Sequence, residues 1–197
     1  MKFTALCLAV VGFTGFAGKA TADVSQSSPS GFVLNFRDEI TVPPQDMWRA
    51  IAQLPRWWNS QHSYSGNAAN MSIDLQAGGC WCERWGDGQS AQHGQVVLVQ
   101  PGRVLRLNAS LGPLQELAVN AVLTIVTSTQ DGKHFLRLSY RVSGNPEAAL
   151  DKLAAPVDGV LAVPPGSGCA GRRHCTTAPA GWPPARSCDP PLAPHHR

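Results

Sequence analysis

The run Cys80-Trp81-Cys82-Glu83-Arg84-Trp85 carries the densest chemistry in the chain. On a strand, Trp81, Glu83 and Trp85 share one face, and Cys80, Cys82 and Arg84 share the other. With the tryptophan face concave, Glu83 is a carboxylate among indoles, a setting that disfavours its charged form. His93 follows on the next strand, and a hairpin through Gly86-Asp87-Gly88 with an odd number of loop residues places it across from Glu83. A Glu–His pair inside an apolar pocket can do general acid–base work, which makes Glu83 and His93 the catalytic candidates. The plainer use of the same two residues is an ion pair, or a hydrogen bond that orients a ligand.

Aromatic residues supply the remaining candidates. Trp57, Trp58, Tyr64, Trp81, Glu83, Trp85, His93 and Tyr140 are the expected lining of a ligand cavity. His62 and Tyr64 lie on a polar segment that should cross its mouth. Trp57 and Trp58 can cap the pocket, or equally well pack their indoles into the core. Cys80 and Cys82 point to one face and are poorly placed to bond to each other, because residues two apart on a strand sit near the upper Cα separation for a bridge. No metal or other cofactor is expected: Cys80, Cys82 and His93 are three ligands of uncertain facing, and Cys169, His174, Cys175 and Cys188 have no ligand periodicity. A Ser-His-Asp order, a phosphate loop and a dinucleotide glycine pattern are all missing from the sequence.

The elements that must position these groups are mostly strands. Phe32, Leu34 and Phe36 alternate with Val33, Asn35 and Arg37, predicting a first strand from Gly31 to near Val42. Two short helices follow, one over Gln45–Leu54 with Met47, Ile51 and Leu54 in step, the other at Arg56-Trp57-Trp58. Further strands are predicted at Met71–Leu75, Cys80–Trp85, Gln92–Val99, Val104–Ala109, Leu117–Ser128 and His134–Val142. The links between them carry glycine and proline turn chemistry and are short, so neighbours must run antiparallel. A last helix starts at Asn145 as N-cap with Pro146 in its first position. Its stripe is Leu150, Leu153, Ala154, Val157, Val160 and Leu161, with a kink expected at Pro156.

Of 197 residues, 43% are hydrophobic, and six Trp with six Phe suffice for one domain. Lys2, the apolar run Phe3–Phe16 and Ala20-Thr21-Ala22 read as an export signal over 1–22, cleaved before Asp23 to give a periplasmic or secreted protein. Residues 23–30 read as a polar linker and 31–162 as the domain. Residues 163–197 hold eight of the sixteen prolines and read as a disordered tail, genuine or the product of a shifted frame. Between Asp23 and Ala162 there are 10 basic and 12 acidic residues, a balance with no footprint for nucleic acid. No segment approaches the roughly 18 apolar residues of a membrane span.

Trp57-Trp58, His62-Ser63-Tyr64-Ser65-Gly66, Gly78 through Trp85, His93-Gly94 and Pro101-Gly102-Arg103 together resemble the SRPBCC, START-like superfamily, in the branch named after activators of the heat-shock ATPase. Leu111–Glu116, Tyr140–Gly144 and Leu153–Leu161 continue the match over roughly 31–162, and after Ala162 the chain departs from it. The resemblance implies an α+β helix-grip fold, a curved antiparallel sheet of about seven strands around a C-terminal helix. It implies no reaction. The leading expectation is binding of a small hydrophobic or amphipathic ligand in the sheet–helix cavity. The alternatives are a cyclase- or hydratase-like enzyme using Glu83 and His93, and a co-chaperone-like interaction domain acting through its sheet surface.

Overall fold

The computed structural model describes residues 23–161. The expected export signal and the tail lie outside the described residues.

The inward residues of β2 (Gly31–Ile40) are Phe32, Leu34 and Phe36, which pair with Val142, Tyr140 and Leu138 of β8 (Lys133–Ser143). On the far side of β8 runs β7 (Asn120–Gln130), whose Leu123 and Ile125 oppose Leu107 and Leu105 of β6 (Val104–Asn108). Period-two alternation thus presents one continuous apolar face, and burial of these side chains holds the sheet. The sheet continues through β5 (Gln89–Gln100) and β4 (Cys80–Trp85) to the short edge strand β3 (Met71–Ile73). With β1 (Asp23–Ser28) at the other edge, all pairings are antiparallel, in the order β1-β2-β8-β7-β6-β5-β4-β3. Register shifts in β1–β2, β4–β5 and β5–β6 bend this ribbon into its curve.

Two helices, α1 (Pro44–Ile51) and α2 (Leu54–Trp57), follow β2 as expected, with Met47, Ile51 and Leu54 buried. Strand β1 (Asp23–Ser28) is new, so there are eight strands rather than seven. The segment expected as a linker forms it by pairing backbone to backbone with β2, although its residues from Val24 to Ser28 are exposed.

The last helix also differs. Asn145 does cap, accepting the Glu147 N–H at 3.1 Å, but what it caps is a single 3-10 turn, Pro146–Ala148. Ala149 then takes a left-handed conformation (φ 48°), and α3 begins afresh at Asp151 and runs to Leu161. It packs against β2 and β1 and buries Ala154, Val157 and Leu161. Strand β7 begins three residues later than its hydrophobicity suggests. A 3-10 turn at Gly112–Glu116 and a left-handed Ala118 occupy the approach to it.

Cys80 and Cys82 form a disulfide, against the expectation that they lie too far apart. Their Cα atoms are 5.3 Å apart, whereas two residues of regular strand span about 6.6 Å. The register shift between Trp81 and Cys82 accounts for the difference. Trp81 pairs with Gly94 and Cys82 with Gln92, so His93 is an extra, bulged residue on β5. Among the described residues no helix is long and apolar enough to cross a membrane.

Candidate functional site

The bulge puts His93 beside Glu83. Glu83 has no solvent exposure and His93 only 3%. Oε2 of Glu83 is 2.8 Å from Nε2 of His93 and accepts the Tyr64 N–H at 3.0 Å. Oε1 accepts the Ser65 N–H at 2.6 Å. Burial is the largest influence on this carboxyl and raises its pKa. The hydrogen bonds from Ser65, His93 and Tyr64 together outweigh it, and the pKa lies below the ordinary carboxylate value. This corrects the expectation that an indole setting disfavours the charge: the loop brings its own donors to the carboxylate.

That loop, residues 59–70, is folded by its asparagines. Asn59 accepts the Gln61 N–H and Asn67 the Ala69 N–H, each at 3.0 Å and each starting a 3-10 turn. Trp58 Nε1 donates to the His62 carbonyl at 2.9 Å, which ties the loop back to α2. Tyr64 then lies over His93 with ring centroids 5.5 Å apart, and its hydroxyl reaches Gly112 O and Gln115 Oε1. Burial, then the Glu116 and Glu83 carboxylates, push its phenol pKa up. Trp57, Trp58, Trp81, His93 and Tyr64 thus form an unbroken series of ring contacts.

Beside this series opens a cavity of about 340 Å³. Its polar lining is Gln61, His62, Tyr64, His93 and Glu116. Its apolar lining comes from Leu111 and Pro113 at the 3-10 segment and from Leu153, Pro156, Val157 and Val160 of α3.

Of the expected lining, Trp58, Tyr64 and His93 face this cavity. Glu83 sits behind them, sealed from solvent. Trp57 and Trp81 line a separate internal void of about 20 Å³ with Trp58, Ile51 and Leu54. Tyr140 is a core residue: it is fully buried, donates to Ala109 O at 2.7 Å and accepts the Leu111 N–H at 3.2 Å. Trp85 is half-buried where β4 ends, paired with Gln89, and lines neither space. The residues that sequence reasoning missed are Gln61, Glu116 and the apolar part of the lining. Leu153, Val157 and Val160 belong to a stripe legible as core, and Leu111-Gly112-Pro113 reads as a turn. Among the described residues no cluster of three or more His, Cys, Asp or Glu is placed to hold a metal.

No family model matches the chain, and no curated protein matches it. Among solved structures, it is similar to a conserved protein of unknown function from Enterococcus faecalis, at 14% identity and a TM-score of 0.49, covering 76% of this chain and 77% of that one. It is also similar to a protein of Rhodobacter sphaeroides, at 17% identity and a TM-score of 0.49, covering 73% of this chain and 92% of that one. A third similarity is to a Thermobifida fusca protein solved by NMR, at 17% and 0.48, covering 67% and 87%.

Proposed function

We propose that this domain is a helix-grip module of the SRPBCC, START-like type that holds a small apolar or amphipathic molecule between its sheet and α3. The observation that carries this reading is the cavity of about 340 Å³, lined by apolar side chains together with a few polar groups. Small-molecule sites are commonly of this size and make-up. The apolar fluorophore N-phenyl-1-naphthylamine tests it. Emission should rise saturably at one site, and Val157→Trp, which puts an indole into the cavity, should weaken binding about tenfold or more. Failure to saturate would sink the reading.

A second reading, acid–base catalysis on the bound molecule, is favoured by the 2.8 Å contact between Glu83 and His93. Native mass spectrometry of a co-purified molecule tests it. Conversion on incubation that stops in His93→Asn, with the molecule still bound, supports an enzyme; an unchanged mass in both proteins supports a carrier. Export belongs to the proposal and is supported by the Cys80–Cys82 disulfide, since such bonds persist in oxidising compartments. N-terminal sequencing from the host should begin at Asp23.

A further inference from the structure

The imidazole of His93 has two nitrogens, and the fold uses one. Nε2 is held by Glu83 at 2.8 Å. Two of the three groups meeting that carboxylate are backbone amides, Tyr64 N–H and Ser65 N–H, and an amide nitrogen only donates. Glu83 is therefore built to be an acceptor, and a carboxylate acceptor places the imidazole proton on Nε2. In the neutral ring this leaves the lone pair on Nδ1, and the partner of one nitrogen sets the state of the other. Nδ1 makes no hydrogen bond among the described residues. Nor is it sealed away: the buried polar atoms without a partner are Trp57 Nε1, Trp81 Nε1 and Ser139 Oγ. The ring lines the cavity of about 340 Å³, and Nδ1 is its nitrogen without a partner among the described residues.

We infer that the molecule held there carries a weakly acidic O–H donor of phenol type, which hydrogen-bonds to His93 Nδ1 while its apolar body lies against α3. The inference rests on the cavity being a binding site, as proposed above. Three further observations narrow the class. The Tyr64 hydroxyl donates to Gly112 O and Gln115 Oε1, so its proton is not free for an acceptor group on the ligand. Leu111, Leu153, Val157 and Val160 of the same cavity offer apolar side chains. The negative charge behind the ring also strengthens Nδ1 as an acceptor, and a more acidic donor gains more from it. A buried acceptor left empty loses its water without compensation, so an analogue lacking the donor is penalised as well.

Calorimetric titration of the full chain at pH 8 with 4-pentylphenol and 4-pentylanisole tests this. The probes differ by one O-methyl group, which removes the donor and adds little bulk, and His93→Phe controls for that bulk. Wild-type protein should bind the phenol about tenfold or more tighter, and His93→Phe should bind both at the anisole level. Because His93→Phe strands Glu83 and can misfold, ¹⁵N-histidine spectra of the wild-type protein give an independent readout. One unprotonated Nδ1 resonance should move with the phenol and stay with the anisole. If the probes bind alike, the inference fails while the binding function stands. If neither binds, both fall. Tighter binding of 4-pentylbenzoate than of the phenol would mean that Nδ1 is a donor, and would overturn the inference alone.

Discussion

Glu83 is buried completely, and an unpaired buried carboxylate would be among the costliest groups in the fold. Three donors on two segments offset that cost, so the charge fastens loop 59–70 and the β5 bulge to β4. Glu83→Gln keeps the shape but removes the charge and turns one acceptor into a donor facing donors. It should lower stability by about 2–4 kcal/mol in urea unfolding at pH 7. The pH dependence has a definite sign. The folded pKa lies below the unfolded value, so the stabilisation is complete above about pH 5 and is lost as pH falls through the folded pKa. The gap between wild type and Glu83→Gln should therefore close on acidification, and a gap unchanged down to pH 3 would show that Glu83 is not held ionised. Tyr140 works by a different route. It lies beneath the cavity rather than in it, bonding Ala109 O and the N–H of Leu111, a wall residue. Tyr140→Phe strands both groups and should cost about 1–3 kcal/mol in the same assay. Probe affinity should also drop, because Leu111 loses its tether.

Elements whose side chains alternate or repeat were legible in the sequence. Strand β2 announces itself through Phe32, Leu34 and Phe36, and α1 through Met47 and Ile51, because burial drives both and burial leaves a period. Strand β1 was illegible for the converse reason: Asp-Val-Ser-Gln-Ser-Ser has no apolar period, and pairing with β2 alone makes it a strand. The bulge at His93 was invisible too, since register depends on the partner strand. The sequence therefore placed Glu83 and His93 near each other but misjudged Cys80 and Cys82, whose bridge depends on that bulge. In α3, Pro156 was expected inside the helix as a kink; it lies within Asp151–Leu161 and lines the cavity. It withholds an N–H from the Lys152 carbonyl. Pro156→Ala should raise thermal stability by about 1–2 kcal/mol, the helix gain less the entropy returned to the unfolded chain. It should weaken probe binding by removing a ring from the wall. A drop in stability would mean that the proline is required for α3 to seat on β2.

Three separate pieces of chain enclose the cavity, and each hangs from the sheet by its own device. Loop 59–70 is held by Glu83, the segment around Leu111 by Tyr140, and α3 by the buried Ala154, Val157 and Leu161, with the Leu150 N–H donated to Pro29 O at 3.0 Å. The β2–β8–β7 ribbon behind them is paired along its whole length. Segments fastened at a few points open locally at lower free energy than a fully paired sheet. A molecule touching all three walls stabilises only the states in which all three are closed, and at a hundredfold excess over its Kd that amounts to about 2.7 kcal/mol. Hydrogen exchange should show this as protection spread over distant sequence. With saturating 4-pentylphenol, amides in 59–66, 110–116 and 151–161 should slow together, by up to about a hundredfold, while those of β2, β7 and β8 that exchange only by global unfolding slow by no more than that factor. Protection confined to one of the three segments would mean that the probe sits on a surface patch, and that α3 and the loop do not close on a common ligand.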